Sequence, residues 1–278
     1  MVWILNAGGL REEFDQLKVQ RTCLRAGAEK ETAERIAAEV ASSVRDGMTT
    51  KHILKLTLKL LEKLEAPHVV ARYDLKGAIM RLGPAGFPFE TFLGEVLGEF
   101  GYKTRLRQIL QGFCVTHEID VIAEKDGARG MIECKYRNSS GDYIGIKDAL
   151  YTYARFLDLV DGHKAGKCEE FGQVWLATNT KFSEEVLKYA TCKGMRLIGW
   201  RYPKGGSLEE MVESKRLYPI TVLRTLDPLS QRRFAAADLM LCTHAARLSL
   251  DELHDKTALP TRKLAIIMDE IAQVCGGD

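Results

Sequence analysis

The chain has 278 residues, enough for two or three compact domains. With 46% hydrophobic and 28% charged residues it reads as globular rather than disordered material. Its 40 basic and 38 acidic residues leave a net charge of +2, which excludes a uniformly basic nucleic-acid binder and makes any such surface local.

The opening run Met1-Val2-Trp3-Ile4-Leu5-Asn6-Ala7-Gly8-Gly9 has no basic start and too short an apolar stretch for a signal peptide. No apolar stretch reaches about 18 residues, so no membrane span is expected and the expected location is cytoplasmic. After the Gly8-Gly9 turn, Ala33, Ile36, Ala37, Val40, Ala41 and Val44 recur at helical spacing, with Gly47 as the stop. Thr50 fits the N-cap of a second helix that puts Ile53, Leu56, Leu60, Leu61 and Leu64 on one face. Residues 1–85 therefore predict a small, mostly helical domain, closed by the breaker-rich linker Leu82-Gly83-Pro84-Ala85-Gly86-Phe87-Pro88.

Residues 86–202 have mixed periodicity. Glu90 to Phe100 predicts a helix, stopped by Gly101; Glu118 to Glu124 and Met131 to Tyr136 predict two strands around a turn containing Asp126-Gly127. A helix from Ile146 to Val160, a buried strand from Gln173 to Thr178, a helix from Ser183 to Thr191 and a strand from Met195 to Trp200 follow. A hairpin first and strand–helix–strand later predict an α/β fold of the mixed α+β kind, a mixed sheet flanked by helices. Residues 226–278 predict a small helical domain, with Leu250 and Leu253 on one helix and Leu264, Ile267, Met268, Ile271 and Val274 on the next, joined near Pro260.

Seven cysteines, with no CxxC pair and no close Cys/His cluster, exclude a disulfide framework and structural zinc from the reading. No GxxxxGK[ST] loop occurs, so an ATP-driven motor is not expected.

The hairpin carries the chemistry. If Asp126-Gly127 is a symmetric two-residue turn, opposed residues have numbers summing to 253, so Asp120 faces Glu133 and Glu118 faces Lys135. Strand alternation then places Glu118, Asp120, Glu133 and Lys135 on one face and Ile119, Val121, Ala123, Ile132, Cys134 and Tyr136 on the other. Two opposed carboxylates repel unless something offsets the charge. A magnesium ion would do so, with Lys135 beside the attacking water; a solvated face with a Glu118–Lys135 ion pair is the alternative that spacing alone leaves open.

The wider pattern, Phe89-Glu90, Gly101-Tyr102, Glu118-Ile119-Asp120 and Ile132-Glu133-Cys134-Lys135 in that order, resembles the restriction-endonuclease-like PD-(D/E)XK nucleases, particularly their Mrr-like branch. Thr178-Asn179-Thr180-Lys181-Phe182-Ser183 and Leu197-Ile198-Gly199-Trp200 resemble that core's closing segments. The resemblance implies that Asp120 and Glu133 ligate Mg2+ or Mn2+ with help from the Cys134 carbonyl, that Lys135 acts on the nucleophile, and that Glu90 adds an acidic group. His117 is open between a substrate contact and an exposed loop residue. Lys147, Tyr153 and Arg155 on the next helix are open between DNA-phosphate contacts and a solvated face.

Gly9, Glu12, Phe14, Lys18-Val19, the helix pair, Thr50, Ile53 and Tyr73 resemble an ATP-cone, a nucleotide-sensing module, over residues 1–82. That implies Glu12, Lys18 and Thr50 as contacts for ATP or dATP; a helical interaction domain without ligand is the alternative. The last segment is similar to helix-hairpin-helix modules, with Arg232, Arg233, Arg262 and Lys263 available to a DNA backbone, or serves as a plain helical cap. The expected function is a metal-dependent DNA endonuclease under adenine-nucleotide control. The competing expectation is a nucleotide-responsive DNA-binding protein whose nuclease fold does not cleave. Cutting both strands with one site per chain would favour a homodimer.

Overall fold

The computed structural model describes residues 2–85, 88–139 and 141–276. Gly86 and Phe87 of the expected linker lie outside the described residues. The chain forms two compact units: Met1–Arg81, Ser139–Gly141 and Tyr218–Asp278 make one, Leu82–Asn138 and Asp142–Leu217 the other. The sequence reading separates a first and a last helical segment, whereas the contacts group the two into one unit.

That unit begins with a hairpin, β1 (Trp3–Leu5) and β2 (Arg11–Glu13), in which Trp3 pairs with Glu13 and Leu5 with Arg11. Helices α1 (Gln16–Ala26), α2 (Lys30–Ser43), α3 (Thr50–Leu64) and α4 (Pro67–Met80) follow. The predicted stripe Ala33, Ile36, Ala37, Val40 is fully buried and meets Cys23, Ile53 and Leu61 in one core. One correction concerns the start of α3. Its cap is Thr49, whose hydroxyl accepts the His52 N–H at 3.3 Å, and Thr50 is already the first helical residue. Both threonines suit a cap, and only the backbone conformation separates them.

The second unit begins with the single turn α5 (Leu82–Ala85) and α6 (Phe89–Glu99), then β3 (Lys103–Gln111), β4 (Thr116–Lys125) and β5 (Ala128–Lys135). Then come β6 (Tyr143–Ile144), α7 (Ile146–Lys164), β7 (Gln173–Thr178), β8 (Lys181–Phe182), α8 (Glu184–Lys193), β9 (Arg196–Ile198) and α9 (Leu208–Ser214). The main sheet runs β3-β4-β5-β7-β9, antiparallel through β5 and parallel beyond it, so the expected mixed sheet with flanking helices is present. β3 is an edge strand absent from the sequence reading, because Lys103, Arg105, Arg107 and the glutamines blur its alternation. Asp126 and Gly127 both take left-handed backbone (φ 52° and 74°), the two-residue turn that the hairpin requires. The ladder keeps the expected register from Lys125↔Ala128 to Val121↔Ile132.

The chain returns to the first unit through a 3-10 turn at Ile220–Val222 and helices α10 (Pro228–Ala236), α11 (Cys242–Ala246), α12 (Leu250–Thr257) and α13 (Thr261–Gly276). Thr221 donates its hydroxyl to the Ala78 carbonyl at 2.7 Å, and Arg81 bridges Asp74 and the Thr221 carbonyl, which ties α4 to this returning segment. Among the described residues, no helix is long and apolar enough to cross a membrane.

Candidate active site

The β4–β5 ladder stops at Val121↔Ile132, although both strands continue. β4 stays paired with β3 as far as Thr116, and β5 with β7 as far as Lys135. The two strands therefore part like the arms of a fork, and the first residues past the split are Asp120 and Glu133. Asp120 itself replaces the lost ladder bond, since its Oδ2 accepts the Cys134 N–H at 2.7 Å. A strand residue sends its N–H and C=O to the same edge, so the Cys134 carbonyl opens into the same gap.

Glu133 is 4% exposed. Its Oε1 takes the Lys135 ammonium at 2.5 Å, and its Oε2 takes the Arg155 guanidinium from α7. Burial, reinforced by the charges of Glu133 and Glu90 and opposed by the Cys134 N–H and Lys135, pushes the Asp120 carboxyl up to about 6. Glu90, in the first turn of α6, pairs with Arg107 at 3.5 Å. Arg107 lies on β3 with left-handed backbone (φ 49°) and also donates to the Thr91 hydroxyl. Four of the expected residues, Glu90, Asp120, Glu133 and Lys135, thus gather at the fork.

The last residue of β7 and the loop after it hold the arm that carries Lys135. Thr178 donates its hydroxyl to the Lys135 carbonyl at 2.6 Å, while Asn179 accepts the Arg137 N–H and donates to the Arg137 carbonyl. Both side chains are fully buried. On the β4 side, His117 is no exposed loop residue. It pairs with Asp158 of α7 at 2.8 Å, and Asp158 also accepts the N–H groups of Cys114 and Val115, which holds its carboxyl down at about 2.

The three α7 residues expected at DNA phosphates do not share a face. Lys147 is exposed, but Tyr153 is half-buried against the core, edge-on to Tyr189, and Arg155 is 8% exposed. For Arg155 the expectation is corrected: its phase along α7 matches buried Ala149, Thr152 and Leu159, so it points inward to Glu133. In the helical unit, Glu12 and Lys18 pair at 3.7 Å, and Leu5 bridges to Thr49, which brings the β1–β2 hairpin beside the start of α3 and Thr50.

The oxygen donors at the fork suit a hard divalent cation: two carboxylates and a backbone carbonyl. Among the described residues, no group of three or more His, Cys, Asp or Glu side chains forms a cage, so such an ion would complete its shell with water and substrate oxygens. A groove of about 750 Å³ lined by Phe100, Tyr102, Lys125, Trp175, Arg196 and Tyr202 adjoins the hairpin-turn end of the sheet and involves none of the fork residues.

Comparisons with known proteins point to one family. Residues 218–275 match the family model described as AF1548-like, C-terminal. An uncharacterized protein of Archaeoglobus fulgidus is 44% identical over 184 residues, spanning 66% of this chain and 100% of that protein. A second uncharacterized protein of the same organism is 48% identical over 40 residues, 14% of this chain and 85% of its own length. The crystal structure of AF1548, titled a protein of unknown function, shares 43% identity and a TM-score of 0.59, covering 68% of this chain and 97% of that one. The chain belongs to the AF1548-like family.

Proposed function

We propose that this protein is a metal-dependent DNA endonuclease of the PD-(D/E)XK type, which hydrolyses phosphodiester bonds at the β4–β5 fork. The observation that carries the reading is the convergence of Asp120, Glu133 and Lys135 where the ladder opens. Burying two carboxylates together is costly, and a site for a cation is a reason to bear that cost. Asp120, Glu133 and the Cys134 carbonyl would hold Mg2+ or Mn2+. When bound, such an ion supplies Lewis-acid charge neutralisation and a more acidic water. Lys135 is held by Glu133 at 2.5 Å; an ammonium there can orient the attacking water and offset charge growing on the phosphoryl oxygens. Glu90, paired with Arg107, adds negative charge that favours a cation.

The helical unit is proposed as an ATP-cone-like regulator, with Glu12, Lys18 and Thr50 near the ATP or dATP site. Support comes from the hairpin, the pairing of Glu12 with Lys18 and the approach of Leu5 to Thr49. Without a phosphate-cradling Walker loop in the sequence, the nucleotide would act by binding rather than by hydrolysis.

The test is cleavage of supercoiled, linear and branched DNA with Mg2+ or Mn2+, with and without ATP. Metal-dependent cutting should fall at least about a hundredfold in Asp120→Ala and in Lys135→Ala, the scale seen when one charge-stabilising group is removed. DNA binding without cutting of any substrate would sink the nuclease reading and leave a nucleotide-responsive DNA-binding protein.

A further inference from the structure

We propose that Arg155 is a positioning residue: it fixes the Glu133 carboxylate for metal binding by bridging the two arms of the fork. The inference rests on the nuclease reading of that site.

Arg155 comes from α7, outside the hairpin, yet its guanidinium reaches both diverging strands. One nitrogen, Nη1, donates to Glu133 Oε2 on β5; the other, Nη2, donates to the Glu118 carbonyl on β4. That carbonyl belongs to the stretch of β4 that has left β5 but stays paired with β3, so the arginine ties the β4 arm to Glu133 on β5 beyond the end of their ladder. The side chain is 8% exposed and its Nε is buried without a hydrogen-bond partner. An arginine used only to neutralise Glu133 has no need of that arrangement. Leaving a buried N–H unpaired has a cost, which the two terminal contacts must offset. The planar guanidinium has the geometry for such a span, whereas a lysine ammonium is a single point charge on a flexible stem.

The consequence lies in Glu133. With Oε2 taken by Arg155, the carboxylate cannot rotate freely, and Oε1, the oxygen that Lys135 occupies, is the one left for a cation. Lys135 reaches Glu133 from two residues along the same strand and is 24% exposed in its side chain, so it can yield to an incoming ion; Arg155, at 10%, is held inside. The two cations on one carboxylate thus have different duties, one exchangeable and one fixed.

Arg155→Lys keeps the charge and removes the span. Calorimetric titration with Mn2+, alongside thermal melting, tests the role. Wild-type protein should bind Mn2+, and Arg155→Lys should bind it about 10–100-fold more weakly, as for other groups that orient a metal ligand, with only a small change in melting temperature. In a Glu133→Gln background the same substitution should cost no further affinity, because it acts through that carboxylate. Arg155→Gln, neutral and with one donor amide, repeats the measurement should the lysine variant not fold. Equal Mn2+ affinity in wild type and Arg155→Lys would overturn the proposal. So would loss of folding in both variants that Glu133→Gln restores, since Arg155 would then serve only to neutralise a buried charge. Failure of the wild type to bind Mn2+ would remove the nuclease reading, and this inference with it.

Discussion

The two ends of the β4–β5 pair are built from the same strands to opposite purposes. On the turn side of the split the strands stay locked in register, and the two pairs next to the split fill both faces with apolar residues: Val121, Ile122, Met131 and Ile132 are all at most 1% exposed. At the other end the register lapses, and the space between the arms holds Asp120, Glu133, Lys135 and Arg155. The closed end gains stability from apolar burial. The open end gives stability up, because a desolvated Asp120 beside Glu133 is a charge that water would have held better. A strand pair can thus gather charged side chains by ending its ladder early, without a loop.

The sharpest way to break the comparison is to damage the closed end. Ile132→Ala removes a fully buried side chain one residue from Glu133 and should cost about 2–5 kcal/mol in urea unfolding. Mn2+ affinity of the folded fraction should stay within about twofold, because Ile132 faces away from Glu133 along the strand. A large loss of affinity would mean that packing, rather than the fork's own contacts, sets the site.

The opposite sign is expected at the open end. Folding raises the Asp120 pKa from 3.8 to about 6, so the folded state holds the proton more tightly than the unfolded chain. Stability from this group is therefore greatest below pH 3.8 and is lost as pH rises through about 6. Asp120→Asn mimics the protonated form and can still accept the Cys134 N–H. In chelator, at pH 7.5, it should stabilise the protein by about 1–2 kcal/mol, a figure discounted for partial exposure. The gain should disappear below about pH 4 in melting curves of the two proteins. A loss of stability at pH 7.5 would show that the carboxylate is favourable there without a metal.

Much of this division is legible in the residues. Asp126-Gly127 gives the turn and, by counting outward, the register that the ladder follows. The counting does not tell where the ladder ends, because pairing is local and the competitor is a side chain: Asp120 captures the Cys134 N–H. Spacing alone leaves open a solvated polar face as the alternative, whereas Ile122 and Met131 continue the Asp120–Glu133 face into the core beneath α7. Arg155 reads as a surface residue by its chemistry, although its spacing with Ala149, Thr152 and Leu159 already placed it on the buried side. Edge strand β3 is obscured by its charges, which an edge can solvate and an interior strand cannot.

The smallest effect tests whether the two ends are independent. Gly127 takes φ 74°, and a Cβ built there meets nothing within 4 Å, so Gly127→Ala is resisted by the backbone alone. An alanine forced into left-handed backbone costs about 1 kcal/mol. Asp126 already bears a similar φ of 52°, so the turn should keep its form and the ladder its register. The variant should lose about 1 kcal/mol in urea unfolding, with Mn2+ affinity and DNA cleavage unchanged. A drop in affinity together with that small loss would mean that strain at the turn travels through five residues of paired strand to Glu133. The fork would then be a consequence of the hairpin's overall twist rather than of the contacts made by Asp120 and Arg155.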